Sequence, residues 1–355
     1  MILTRLFNLT LRYGYVPNEF GLGLTIPIPK ADCKSNSSSV NDYRGITISP
    51  VISKIFELCL QMRFSKYLFS SSNQFGFKQG VGCNHAIYLV RNTIEHFTKN
   101  DSTVNLCTLD LSKAFDKVNI YALFSKLMSR NIPVNFVNLL YSWYDKIYSC
   151  VKWSTYVSCF RRLTAGVRQG GVLSPTLFAL YVDDILIKLS NSKLGCHIKR
   201  ICVNSFMYAD DLLLIANSVS DLQKLVNICV EEFELLDLSL NASKSSSLRI
   251  GPRNKFKCAS ISAGVNNIAW CDNIRYLGIF ISSGKQFKCD FDIARSKFYR
   301  SFNSIYSKIG HSNSPSVILS LLSANCLPSL VYGIEAISVC SSEMQRLNLA
   351  YTRGR

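Results

Sequence analysis

Two adjacent carboxylates sit between two apolar runs in this chain, and that arrangement limits its fold more than any other feature. Residues 203–207 lead into Tyr208-Ala209-Asp210-Asp211, and Leu212-Leu213-Leu214-Ile215-Ala216 leads out. Both flanks have the length and apolar character of buried strands. Acids between such strands are costly unless a turn delivers them to a polar site or a cation compensates them. A third apolar strand, residues 104–109, ends on Asp110. Three carboxylates from strand ends and a hairpin turn make a set of hard oxygen donors that suits two Mg2+ ions, with Mn2+ as a substitute. Two such ions ~3.5–4 Å apart hold both the attacking and the leaving oxygen of a phosphoryl transfer. The chain is therefore expected to make or break phosphodiester bonds.

At 355 residues, two or three packed subdomains are expected. The balance of 48% apolar, 12% aromatic and 18% charged residues is that of a globular protein, and no unbroken apolar run of membrane-spanning length stands out. The N-terminus lacks the ordered pattern of a signal peptide. A net charge of +17 points to a polyanion, most simply nucleic acid, although a basic surface of no specific use gives the same number. The 14 cysteines are scattered, with no C-x-x-C pair and only 4 histidines. That argues against zinc and for buried reduced thiols in an intracellular protein. No membrane partner is expected.

Along the chain, the polar stretch 31–42 contains one mobile loop, residues 35–39. Ser49-Pro50 starts a helix to about residue 68, as N-cap and first-turn proline. Further helices are expected at 84–97, 119–129, 135–148 and 175–189, with a hairpin at 151–160. Ser220 and Gln223 form a capping box for the next helix. Short strands follow near residues 248 and 276–281, and the last seventy or so residues are helical. Strands interleaved with a majority of helices give an α+β core with a helical C-terminal piece.

The chain also holds a decoy. Tyr181-Val182-Asp183-Asp184 repeats the pattern of the first motif, but Phe178, Tyr181, Val182, Ile185, Leu186 and Leu189 recur at helical spacing. Asp183 and Asp184 are therefore expected on the solvated face of a helix.

Eight stretches, in order, then resemble one family. They are Ile26-Pro27-Ile28-Pro29-Lys30, Tyr43-Arg44-Gly45-Ile46, Gln74-Phe75-Gly76-Phe77, Asp110-Leu111-Ser112-Lys113-Ala114-Phe115-Asp116, residues 168–178 beginning Arg168-Gln169-Gly170-Gly171, Tyr208-Ala209-Asp210-Asp211, Leu240-Asn241-Ala242-Ser243-Lys244 and Tyr276-Leu277-Gly278. Together they resemble the reverse transcriptase domain of non-LTR (LINE-type) retrotransposons. The resemblance implies a right-hand polymerase: fingers over residues 1–100, a palm with an antiparallel sheet over 101–283, and a helical thumb-like region over 284–355. It implies RNA-directed DNA synthesis, with an RNA template, a DNA primer and dNTPs. Asp110 and Asp210 would hold two metal ions, with Asp211 beside them and the carbonyl of Leu111 as a further ligand.

The same resemblance makes Phe115 a steric gate that excludes a ribose 2′-hydroxyl. Gln169 and Gly170 fall where backbone approaches template and nucleotide, and Lys30 and Arg44 where the triphosphate is gripped. Lys244 would protonate the leaving pyrophosphate, and Tyr276-Leu277-Gly278 would grip the primer. Core or surface roles compete at each of these positions. Residues 242–257 carry five basic side chains and no acid, and the basic, aromatic stretch 285–308 fits a helix riding on duplex phosphates.

The usual LINE-type protein is longer, with an endonuclease and often a Cys/His-rich segment. A partial or truncated copy, relying on a separate endonuclease activity, is therefore expected here. The connector Gly80-Val81-Gly82-Cys83-Asn84 also departs from the family's Arg/Ser/Thr-bearing version. Two rival readings remain: a polymerase that makes RNA, and a nucleic-acid-binding remnant without turnover. Elements of this kind prime on chromosomal DNA, which makes the nucleus the expected location.

Overall fold

The computed structural model describes residues 2–30, 39–309 and 314–353. The loop expected at 35–39 lies, except for Ser39, outside the described residues. The chain divides into two compact units, each assembled from segments far apart in sequence. One comprises Met1–Phe77, Leu111–Lys188 and Glu231–Ser239; the other comprises Lys78–Asp110, Leu189–Val230 and Leu240–Arg355.

In the first unit, strands Leu22–Pro29 and Tyr43–Ile48 form an antiparallel pair with Ile28 opposite Arg44. Leu22–Pro29 also pairs in parallel with Tyr148–Trp153. Phe20, Phe56 and Trp143 pack beneath them, with the Phe56 and Trp143 rings stacked at 5.7 Å. The helix Val51–Arg63 has Pro50 rather than Ser49 as its N-cap, with no side-chain cap bond, and the Ser53 hydroxyl donates to the Pro50 carbonyl at 2.8 Å. Helix Ser174–Asn191 buries Leu177, Phe178, Leu180, Tyr181, Val182, Ile185 and Leu186 almost completely. Burial on nearly every side makes it a core helix rather than an amphipathic one.

The second unit is built on a six-stranded sheet in the order Ile261–Ala263, Asn266–Trp270, Ser246–Ile250, Val104–Leu109, Asp211–Ala216, Ser205–Tyr208. Val104–Leu109 is internal to it, with Val104, Leu106, Cys107 and Leu109 buried. Helix Cys83–Lys99 packs on the sheet, and helix Val219–Leu235 buries Leu222, Leu225, Val226 and Cys229. The capping box expected at Ser220 is absent. Ser218 instead accepts the Asp221 amide, while the Gln223 amide group bonds to both backbone groups of Ser262. Strands Asn273–Tyr276, Ile279–Ser282 and Lys288–Asp290 form a small antiparallel sheet, followed by helices Asp292–Ile309, Pro315–Asn325, Leu327–Val331 and Ser341–Arg353.

Two expectations about composition change. The stretch Ser316–Ala336 is, among the described residues, long and apolar enough to cross a membrane by length and composition, although helix breaks near Cys326 and Gly333 divide it. Among the described cysteines no disulfide forms; Cys107, Cys150, Cys196, Cys229 and Cys326 are buried, but Cys59, Cys159 and Cys340 are exposed.

Candidate active site

In the second unit the sheet register brings the motif acids to one end. Leu212 pairs with Leu109, so the residues just beyond that pair, Asp211 and Asp110, lie side by side. Asp211 also pairs with Tyr208, leaving Ala209-Asp210 as a two-residue turn with Ala209 at φ 57°. A left-handed alanine costs roughly 1–2 kcal/mol, which fixes the turn at the expense of local strain. The backbone of Asp110 is anchored on the segment that carries Lys244. Its carbonyl accepts the Asn241 N–H at 2.8 Å, and its own N–H donates to the Ser245 hydroxyl at 3.1 Å. Ser246 pairs with Thr108, so exposed Lys244 stands at the same sheet end as Asp110.

The electrostatics follow from crowding. The Asp211 carboxyl is raised to about 6 by loss of solvent, then by the charges of Asp210 and Asp110, with Arg275 opposing. Asp211 keeps exposed surface, so the two neighbouring carboxylates are the part of this rise that geometry supports most directly. Arg275, which sequence reasoning did not single out, is the cation that acts on this group. Tyr276 is 2% exposed and donates its hydroxyl to the Phe206 carbonyl, supporting the strand that leads into the acidic turn. Leu277 at φ 44° and Gly278 at φ 85° form the next turn, whose Leu277 carbonyl accepts the Tyr332 hydroxyl.

No metal ligands stand closed around a point: among the described residues no three His, Cys, Asp or Glu side chains are arranged to hold an ion. The fit is one of chemistry. Three carboxylates at one sheet end repel each other, and a divalent cation would relieve that repulsion.

The other motif residues belong to the first unit. Lys30 follows strand Leu22–Pro29 and donates its ammonium to the Asn41 carbonyl at 2.6 Å; exposed Arg44 lies on the partner strand. Leu111, next after Asp110, is 6% exposed. Half-buried Phe115 sits in the short turn Ala114–Lys117. Gln169 donates its Nε2 to Asp116 at 2.8 Å and accepts the Thr47 N–H at 2.8 Å. Gly170 has φ 117°, and a Cβ there would lie 2.3 Å from the Thr47 carbonyl, so this turn requires glycine.

Of the decoy acids, Asp183 is not on a solvated face, while Asp184 keeps 43% of its side chain exposed. Asp183 is 3% exposed, accepts the amide and hydroxyl of Ser71 at 2.7 Å each, and pairs with Arg130 at 2.6 Å. Asp184 pairs with Lys126 at 2.5 Å. Its carboxyl is held below the usual range: solvent loss acts against ionisation, but Lys126 and Arg130 outweigh it. A core helix with acids on one side needs such partners.

A sheet delivering acids from a hairpin turn and an adjacent strand end, with helices packed on it, is the fold of a right-hand nucleic-acid polymerase. Telomerase from Candida tropicalis shares it, with a TM-score of 0.55 at 13% identity over 98% of this chain and 62% of that one. Residues 28–281 match the reverse transcriptase (RNA-dependent DNA polymerase) family, and the chain belongs to that family. Its relatives are non-LTR retrotransposon proteins. The Pol polyprotein of the type-2 retrotransposable element R2DM of Drosophila melanogaster is 27% identical over 81% of this chain and 28% of its own length. That of a type-1 R2 element of Popillia japonica is 26% identical over 95% of this chain and 47% of its own. The chain thus spans less than half the length of either relative. Members of the family act on nucleotides and an RNA template with divalent metal ions.

Proposed function

We propose that this chain is the polymerase portion of a non-LTR retrotransposon protein, adding dNTPs to the 3′-hydroxyl of a DNA primer on an RNA template. The observation that carries the reading is the strand register that sets Asp110 beside Asp211, with Asp210 in the adjoining turn. Asp110, Asp210 and Asp211, with the carbonyl of Leu111, would hold two Mg2+ ions, or Mn2+ in their place. When bound, such ions lower the pKa of an attacking hydroxyl and neutralise the charge of transferring and departing phosphates.

The chain's own side chains supply the rest. Lys30 and Arg44 orient the triphosphate, and Phe115 presents an aromatic edge to the sugar. Lys244 hands a proton to the departing pyrophosphate. Residues 1–100, 101–283 and 284–355 act as fingers, palm and thumb. Exposed Lys297, Arg300 and Lys308 on helix Asp292–Ile309 meet duplex phosphates there. Cleavage of target DNA falls to a separate endonuclease activity. The half-buried ring of Phe115 favours DNA over RNA as the product.

The test is extension of oligo(dT) on poly(rA) by the purified chain with and without Mg2+. Mg2+-dependent incorporation of dTTP supports the reading; binding of primer–template with no incorporation under any divalent ion rejects it.

A further inference from the structure

Besides Asp183, two charged side chains are buried in the first unit: Glu57, 6% exposed, on helix Val51–Arg63, and Arg168, 7% exposed, at the head of the turn bearing Gln169 and Gly170. Both line a hollow of about 20 Å³ together with Tyr144 and Ser174. Burying two ions costs several kcal/mol each, and apolar residues of similar volume often serve stability as well or better. Stability alone therefore does not explain the pair.

What the two side chains hold does explain it. Glu57 accepts the N–H of Leu173 at 2.7 Å. Arg168 donates to the carbonyls of Gly21 at 2.8 Å and Phe20 at 3.4 Å. Both ends of turn 168–173 are thus tied down by charge-assisted hydrogen bonds to two different elements. Between those ends, Gln169 is bonded to Thr47 and to Asp116. Just before the turn, Val167 donates to the Phe115 carbonyl and Gly166 to that of Val118, both at 2.8 Å. Gly170, pressed on Thr47, leaves the turn no room to slide. The turn and the loop bearing Phe115 therefore move as one body.

We infer that Glu57 and Arg168 are positioning residues for nucleotide selection: they set the seat of turn 168–173 and, through the Gln169–Asp116 and Val167–Phe115 bonds, the place of the Phe115 ring. The inference rests on the polymerase reading above. Neither side chain need touch the nucleotide. With Glu57 neutralised, the Leu173 amide loses a charged acceptor and the ring loses its fixed height.

The full chain, Glu57→Gln and the double variant Glu57→Leu/Arg168→Met are compared for kcat and KM with dTTP and with UTP, for Tm, and for amide hydrogen exchange. Glu57→Gln is expected to lower kcat/KM for dTTP by ~10–100-fold, the scale set by small misplacements of reacting groups. The preference for dTTP over UTP narrows by about tenfold, and exchange at Thr47, Val167 and Leu173 accelerates by a similar factor. The double variant keeps the wild-type Tm and shows the same kinetic loss. Wild-type sugar preference together with unchanged exchange in Glu57→Gln overturns the inference. A wild-type chain that extends no primer overturns the polymerase reading instead. Exchange then decides the positioning claim: accelerated amides uphold it and unchanged ones reject it.

Discussion

The rings of Phe115 and Phe178 lie 4.5 Å apart with their planes inclined by only 16°. Phe178 is fully buried, and Phe77 meets Phe115 edge-on at 6.1 Å and 86°. One side of the half-buried Phe115 ring is therefore braced by packing, and a braced ring can act as a gate where a loose one would yield. Phe115→Val is expected to raise UTP incorporation relative to dTTP by ~10–100-fold, with dTTP turnover changed far less, since the site loses a clash and not an attraction. Single-nucleotide extension with each substrate measures this. An unchanged ratio contradicts the gate.

Arg130 is the main counter-charge for buried Asp183. Removing one partner of a buried pair leaves an uncompensated charge, so Arg130→Ala is expected to cost ~3–5 kcal/mol of stability. Asp184 is far more exposed, and Asp184→Ala should cost no more than ~1 kcal/mol. Urea denaturation of both variants checks the contrast. Equal losses would show that the acids are equivalent after all.

These acids also show where sequence reading ends. The hairpin of Asp210 and Asp211 was legible because a continuous apolar run, Leu212 to Ala216, follows the acids and buries over a short local span. The partners of Asp183 were not, because Ser71 and Arg130 lie 112 and 53 residues away. Helical spacing reports one apolar stripe and cannot report that the opposite face is also covered. The same limit hid Glu57, a lone acid in sequence whose role depends on the amide of Leu173. Gln223 fits a local capping box, yet bonds across to Ser262 win. Strand Leu22–Pro29 was masked by Pro27 and Pro29, since proline within an apolar run argues against a strand.

Asp211 gives the site a pH signature. Its carboxyl is raised to about 6, first by loss of solvent and then by Asp210 and Asp110. The folded state then binds this proton more tightly than the unfolded chain, whose carboxyl titrates near ~3.9. Its contribution to stability is thus full below about pH 4, falls as pH rises towards 6, and stays low above it. Without divalent ions at pH 7.5, Asp211→Asn is expected to melt at a higher temperature than wild type, the gap closing below pH 5. Thermal scans across pH test this. A lower melting temperature for the variant at pH 7.5 would mean that the site does not suffer from crowded negative charge.

The sharing of catalytic ions by Asp110 and Asp210 is tested most directly by replacing each with asparagine and measuring Mg2+-dependent extension of a DNA primer on RNA. Each substitution keeps the side chain's size and removes its charge. The account predicts that either one lowers kcat by at least ~10³-fold while primer–template binding and melting temperature stay close to wild type. Extension at the wild-type rate by either variant would contradict it.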